Sequence, residues 1–235
     1  DVIFLAEAFT KAPMMHALGK AGFHQSYTYF TWRTSKRELI EYSEEVAHHT
    51  SAFFRPNFWV NTPDINPFHL QSGNPAIFAI RAALASTLTP SWGMYAGFEL
   101  YEHRRFKEGG EEYLDSEKYE IKVRDWAGAE KKQLTLSPFI SLLNKIRREN
   151  VALQRLRNLR FHHCDNEQIL AYSKREGENL ILVVVNLDPN FAQETTIHWD
   201  MEALGFSGDR AQDNFEVTDL IDSAKYRWSS HTYVR

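Results

Sequence analysis

The stretch Asp1–Thr10, DVIFLAEAFT, decides how the fold is read. Val2, Ile3, Phe4 and Leu5 form a continuous apolar run, the pattern of a parallel strand covered on both faces. The run ends on a carboxylate, Glu7, between the small residues Ala6 and Ala8. In a barrel of alternating strands and helices, chemistry is placed at the C-terminal ends of the strands. Glu7 is therefore the first candidate catalytic group. The chain opens directly on this strand, which sets the expectation that part of the fold lies upstream of Asp1.

Outward from this strand the pattern repeats. Ala12–Ala21 predicts a short helix opened by Pro13 and closed near Gly19–Gly22. Phe23–Phe30 is aromatic and β-prone, with His24, Gln25 and Tyr27 as polar residues that either face a cleft or brace the sheet. Ser35 is placed to cap a helix over Lys36–His48, with Leu39, Ile40 and Val46 on its apolar stripe. Phe53–Val60 predicts a third strand running into NTPDIN, Asn61–Asn66, whose turn formers carry a second strand-end carboxylate, Asp64. Pro75–Leu88 predicts a helix with Ile77, Ile80, Leu84 and Leu88 on one face. Ser91–Leu100 predicts a fourth strand with Gly97 and Glu99 at its end.

The segment Tyr101–Gln133 is charged, interrupted by glycines and long for a loop in a compact domain, a length that usually marks function or disorder. Within it, Glu117–Trp126 mixes basic and aromatic residues in a manner suited to a polyol. Arg104–Lys107 and Glu108–Glu112 have the composition of solvated faces. Ser137–Asn150 predicts an amphipathic helix with Ile140, Leu143, Ile146 and Val151 on its apolar side. Beyond Leu159 the texture changes to short β segments at Leu159–His163, Ile169–Lys174, Leu180–Asn186, Glu194–Trp199, Phe215–Asp219 and Tyr226–Trp228, with a further strand in the final HTYVR.

These patterns define an α/β fold class: the C-terminal half of a (β/α)8 TIM barrel over residues 1–157, followed by an all-β antiparallel sandwich over 158–235. Four strand–helix units cannot close a barrel, which needs eight. Two open sheet edges would need cover from another segment or chain.

Composition narrows the function classes. The 235 residues are 43% hydrophobic and carry a net charge of −4, which gives neither the basic footprint of a nucleic-acid binder nor a polybasic membrane patch. There is no apolar run long enough to span a bilayer and no secretory leader. A single cysteine, Cys164, excludes an internal disulfide framework and fits a reducing cytosol; a buried or edge thiol is expected there. The histidines, including His162–His163, fit no metal-ligand spacing and are read as core or solvated residues. No metal and no cofactor is expected. Paired carboxylates at strand ends suit glycosidic chemistry, in which acids flank an oxocarbenium-like transition state. The 14% aromatic content also supplies faces on which sugar rings stack.

The blocks FLAEAF around Glu7, VNTPDIN around Asp64 and GMYAGFE through Gly97–Glu99 resemble, in this order, the motifs of barrel strands five, seven and eight in the α-amylase superfamily, glycoside hydrolase family 13. Within it, LAEAFTKAPMMHALGKAGFHQSYTYFTWR and FRPNFWVNTPDIN resemble the bacterial α-1,4-glucan:maltose-1-phosphate maltosyltransferases. The resemblance implies that Glu7 is the general acid/base and Asp64 the transition-state-stabilising aspartate. It implies that Lys118 and Tyr119, in EKYE, hold the non-reducing end of a maltosyl unit, and that Gly97 and Glu99 support the site.

It further implies a cytoplasmic homodimer that transfers maltosyl units from maltose 1-phosphate to α-1,4-glucans such as glycogen with retention. Pro63 replaces the histidine that precedes the strand-seven aspartate in most of the superfamily, which speaks against an ordinary amylase. The Gly-x-Arg-x-Asp block that carries the nucleophile in the superfamily is absent from the sequence. The missing half of the site is therefore expected from upstream residues of the same polypeptide or from a companion chain, and the isolated chain is expected to be inactive. The alternatives are an α-glucan hydrolase of the same superfamily and a non-catalytic carbohydrate-binding fragment.

Overall fold

The computed structural model describes residues 2–118, 120–206 and 214–235. Its first part is a parallel sheet of four strands in the order β1 (Leu5–Ala6), β2 (Gln25–Tyr27), β3 (Pro56–Trp59) and β4 (Trp92–Gly93). The register runs Leu5 to Gln25, Tyr27 to Asn57 and Trp59 to Gly93, so the strand ends lie side by side at one rim. Helices α1 (Ala12–Lys20), α2 (Lys36–Glu44) and α3 (Pro75–Leu88) connect the strands in turn. Parallel neighbours need such crossovers, because no tight turn can return the chain to the same end.

Local chemistry explains the helix bounds. Pro13 and Pro75 stand in the first turns of α1 and α3, where a missing N–H costs nothing. Ser35 accepts the Glu38 N–H while the Glu38 carboxylate accepts the Ser35 N–H, a reciprocal capping box that fixes the start of α2. A π-type turn at Glu45–His49 continues α2 to the end of its predicted range. The core of this part stacks Phe30 on Phe58 at 4.4 Å, both fully buried. Arg81 is buried against them, its guanidinium 3.9 Å over the Phe30 ring and donating to the carbonyls of Phe30 and Arg33. Burial lowers its pKa to about 9.

Three expectations are corrected here. The apolar run at the start is not covered on both faces: Val2, Ile3, Phe4 and Leu5 are exposed, and only Ala6 is buried. Among the described residues β1 pairs with β2 alone. The fourth strand is far shorter than Ser91–Leu100. It ends at Gly93, and beyond Gly97, which has a positive φ of 100°, Phe98–Leu100 forms a 3-10 turn that carries Glu99. Val151 does not extend the apolar side of the last helix: α5 ends at Glu149, after a short α4 (Trp126–Lys131), and Val151, itself exposed, opens a 3-10 turn whose Ala152 and Leu153 are buried.

The second part is all β, and every predicted segment is a strand: β5 (Leu159–His162), β6 (Ile169–Glu176), β7 (Asn179–Asn186), β8 (Thr195–His198), β9 (Phe215–Thr218), β10 (Lys225–Trp228) and β11 (His231–Val234). β5, β6 and β7 form one antiparallel sheet, and β8–β11 and β9–β10 pair antiparallel beside it. Alternation along β6 sorts the two faces: Leu170 and Tyr172 join the core of the first part, while Ile169 and Ala171 pack with Ile197, Trp199 and Leu204. One sheet thus serves two cores. Tyr172 OH meets Thr87 Oγ1 of α3 at 2.5 Å, and the fully buried Lys174 ammonium donates to the carbonyls of Leu88 and Arg155. Cys164 is buried, as expected. His162 is buried and His163 exposed.

Candidate active site

The rim formed by the strand ends gathers the predicted carboxylates. Glu7 follows β1 directly, and Asp64 lies in the turn after β3. That turn is closed by Thr62 and Ile65, which exchange N–H···O bonds at 3.0 and 3.2 Å, and by the Thr62 hydroxyl accepting the Asp64 N–H at 3.2 Å. Pro63 pre-sets the backbone for this turn. Desolvation raises the Glu7 carboxyl above its usual pKa, and the Asp64 charge raises it further. The same two carboxylates, after burial, push up the Tyr27 phenol at the end of β2. These mutual effects place Glu7, Tyr27 and Asp64 around one space.

Aromatic rings wall that space. Tyr27 leans on Trp59 at 4.7 Å and meets Phe9 edge-on at 6.0 Å, and Phe9 meets Trp32 edge-on at 4.9 Å. Trp59 lies flat over Gly93, where an added Cβ would sit 2.6 Å from the indole. Gly93 is therefore required by the wall, a need that no pattern along the chain announces. Gln25 is a bracing residue: it accepts from Asn57 and donates to Ser91 beneath the rim. His24 also braces, its Nδ1 accepting the Phe4 N–H at 3.1 Å just before β2, at the other end of the strand from the rim.

The long excursion Tyr101–Gln133 folds back onto the rim. Lys118 Nζ lies 2.9 Å from Asp64 and 2.9 Å from Glu112, and these partners, Glu112 first, hold its ammonium well above the usual lysine range. Lys118 and Asp64 are thus brought together, and Asp64 in turn acts on Glu7, while Tyr119 lies outside the described residues. The acidic run Glu108–Glu112 is not simply a solvated face, since Glu111 accepts the Trp32 indole N–H at 3.0 Å and Glu112 binds Lys118. Glu99 supports the loop base: its carboxylate accepts the Gly97 N–H, and its carbonyl accepts from Leu136 N and Thr135 Oγ1.

An ion network that sequence reading missed holds the excursion in place. Arg124, nearly buried, forks onto both Glu102 oxygens at 2.9 and 3.2 Å and reaches Glu117 at 3.1 Å. Tyr95 OH also donates to Glu117, and Asn61 links Tyr95 N to Tyr113 OH. The hydrogen bond from Tyr95 lowers the Glu117 pKa, and Arg124 adds to this. Gly97 is obligatory here, because a Cβ would strike the Glu102 carboxylate at 2.3 Å. The only sequence signal was the recurrence of Glu, Lys and Arg in the loop, which does not say who pairs with whom.

Among the described residues, no cluster of three His, Cys, Asp or Glu side chains is placed to hold a metal ion, and no helix is long and apolar enough to cross a membrane.

A parallel sheet with acids and aromatics at its strand ends, joined to an antiparallel β part, is an α-amylase-type fold. The solved α-amylase from H. orenii superposes with a TM-score of 0.65 at 13% identity, over 99% of this chain and 52% of that one. A trehalulose synthase MutB mutant superposes with 0.67 at 12% identity, over 100% and 54%. In sequence, the chain is similar over its whole length to α-1,4-glucan:maltose-1-phosphate maltosyltransferases. It is 53% identical over 235 residues to enzyme 2 of Streptomyces coelicolor, covering 100% of this chain and 35% of that one. It is 53% identical over 237 residues to the Corynebacterium glutamicum protein and 49% identical to that of Mycobacterium tuberculosis, covering 34% and 33% of those chains. A family model for the C-terminal domain of GLGE matches residues 161–235. The family likeness carried by the Glu7 and Asp64 blocks thus extends along the entire chain, which spans about a third of the curated relatives it matches.

Proposed function

We propose that this chain supplies the acid/base side of a retaining maltosyltransferase site, completed by residues that precede it in the full-length protein. The observation that carries the proposal is Asp64, paired with Lys118 and acting on the Glu7 carboxyl, at the rim of a parallel sheet in a chain about half identical to named maltosyltransferases. In this reading residues 1–157 form strands five to eight of a (β/α)8 barrel and 158–235 a β-sandwich. The family likeness alone supports a homodimer and a cytoplasmic setting.

The chemistry follows from the environment. An aspartate from the preceding part displaces phosphate from maltose 1-phosphate and forms a β-maltosyl ester; the 4-hydroxyl at the non-reducing end of an α-1,4-glucan then attacks the opposite face, giving net retention. Phosphate leaves without much help, so Glu7 matters most in the second step, where it takes the acceptor's proton. A carboxyl raised by desolvation and by a neighbouring negative charge is suited to that duty. Asp64 accepts hydrogen bonds from sugar hydroxyls that strengthen as the ring flattens, Lys118 donates to a hydroxyl, and Tyr119 stacks or donates beside it. The Tyr27–Trp59–Phe9–Trp32 wall offers faces to the sugar rings.

The test is product analysis with the full-length protein, maltose 1-phosphate and glycogen. Phosphate release matched by glucan chains lengthened in two-glucose steps supports the proposal. Phosphate release matched by free maltose identifies a hydrolase instead, and glycogen binding without turnover identifies a binding protein.

A further inference from the structure

The amine of Lys36, at the start of α2, is buried against the thiol of Cys164, just beyond β5. Nζ lies 3.3 Å from Sγ and is held there by the carbonyls of Cys164 at 2.7 Å and Asn166 at 3.0 Å. The thiol in turn donates to the Ile169 carbonyl at 3.2 Å. Lys36 is 9% exposed and Cys164 3%, so neither side chain can swing away without unpacking the junction. The sulfur belongs to the small apolar core that also holds Ile169, Ala171, Ile197 and Trp199. With no second cysteine in the chain, a disulfide cannot form within it. The structure holds the Lys36 nitrogen one bridging atom away from the sulfur.

We propose that Lys36 and Cys164 form an oxidative modification site, a covalent Nζ–O–Sγ bridge that staples the parallel-sheet part to the β part of the chain. The co-reactant is dioxygen. One N–H bond, the S–H bond and the O–O bond break; N–O, O–S and two O–H bonds form. One oxygen atom stays as the bridge and the other leaves as water with the two displaced hydrogens. Nitrogen and sulfur each give up two electrons, and dioxygen takes the four. The bridge is reversible, because reduction by a dithiol restores the amine and the thiol.

Geometry favours this product over the ordinary oxidation ladder of an exposed cysteine, which runs through sulfenic to sulfinic acid. An oxygen atom delivered from dioxygen to the sulfur lies within reach of the Lys36 nitrogen, which closes on that oxygen in place of a second oxidation of the sulfur. The bridge replaces hydrogen bonds by a covalent tie between α2 and the β5–β6 connection, so it stiffens the contact between the two parts without touching the strand-end rim.

The test uses the full-length protein that contains this chain, held in air-saturated buffer with and without dithiothreitol and analysed by intact mass and peptide mapping. The expected species gains one oxygen atom and loses two hydrogens, joins the Lys36 and Cys164 peptides, and disappears on treatment with dithiothreitol. It is absent from Lys36→Arg and Cys164→Ser, and in the wild-type protein its formation raises the thermal midpoint. Sulfenic or sulfinic acid on Cys164 with Lys36 free overturns the proposal, as does an oxygen-treated protein with neither residue modified. The wild-type protein alone gives the answer, so poor folding of a variant cannot obscure it.

Discussion

Lys118 reaches from the long excursion to Asp64 at the sheet rim, its Nζ 2.9 Å from the carboxylate oxygen. The contact ties a loop more than fifty positions away in sequence to the candidate site and pre-positions two of its groups. Lys118→Met in the full-length protein is expected to lower kcat/KM for maltose 1-phosphate by about ten- to a hundredfold, the size of a lost hydrogen bond from a charged group. Most of the change should fall on KM. Steady-state kinetics on donor and acceptor separately will show it, and unchanged donor kinetics would remove Lys118 from the site.

Glu7 and Asp64 also make a pH prediction. Burial first and the Asp64 charge second raise the Glu7 carboxyl above its usual 4.5. The folded state then holds this proton more tightly than the unfolded chain, so the contribution of Glu7 to stability falls as pH rises from 4.5 through its raised folded value. Asp64→Asn should move the Glu7 titration only part of the way back, because burial remains. A carbon-13 carboxyl titration by NMR measures this directly; a Glu7 titration that does not move down in Asp64→Asn contradicts the shared space inferred for the pair.

Arg124 organises the excursion by gripping Glu102 with both arms and Glu117 with one. Arg124→Met leaves Glu102 without its fork, and the expected cost is about 1–3 kcal/mol, tempered by the partial exposure of the two acids. Chemical denaturation gives the loss. Limited proteolysis should show new cleavage between residues 101 and 133, while the β part stays protected.

Tyr172 and Thr87 mark the seam between the two parts. Tyr172→Phe removes one buried hydrogen bond and no volume of note, and Thr87 keeps its bond to the Ala83 carbonyl. A loss of about 1 kcal/mol in unfolding free energy is expected. Because the β5–β7 sheet shares its core with α3, both parts should still unfold in one transition. Two separate transitions in the variant would show that the seam depends on this bond.

Much of the architecture was legible because it rests on periodicity and local punctuation. Pro75 through Leu88 carries its own start signal and apolar face, and the helix occupies that range. All seven β segments after Leu159 were marked by short apolar runs between polar turns. The misread pieces share a cause, which is that neighbours decide them. Val2–Leu5 reads as buried, yet with β2 as its single described strand partner it is exposed. The fourth strand reads as long, yet its pairing with β3 covers Trp92 and Gly93.

The site divides the same way. Glu7 and Asp64 stood out by being acids at the ends of apolar runs. The Arg124 fork, the indole bond from Trp32 to Glu111 and the space under Trp59 at Gly93 depend on which side chains the fold brings together, and spacing along the chain does not encode that.

Rapid-quench analysis of Glu7→Ala in the full-length protein tests whether Glu7 is the base that takes the acceptor's proton. With maltose 1-phosphate alone, the variant should release phosphate in a burst and accumulate a maltosyl-enzyme detectable by mass. Added glucan acceptor should fail to discharge it. Normal turnover of Glu7→Ala with glucan would contradict the account.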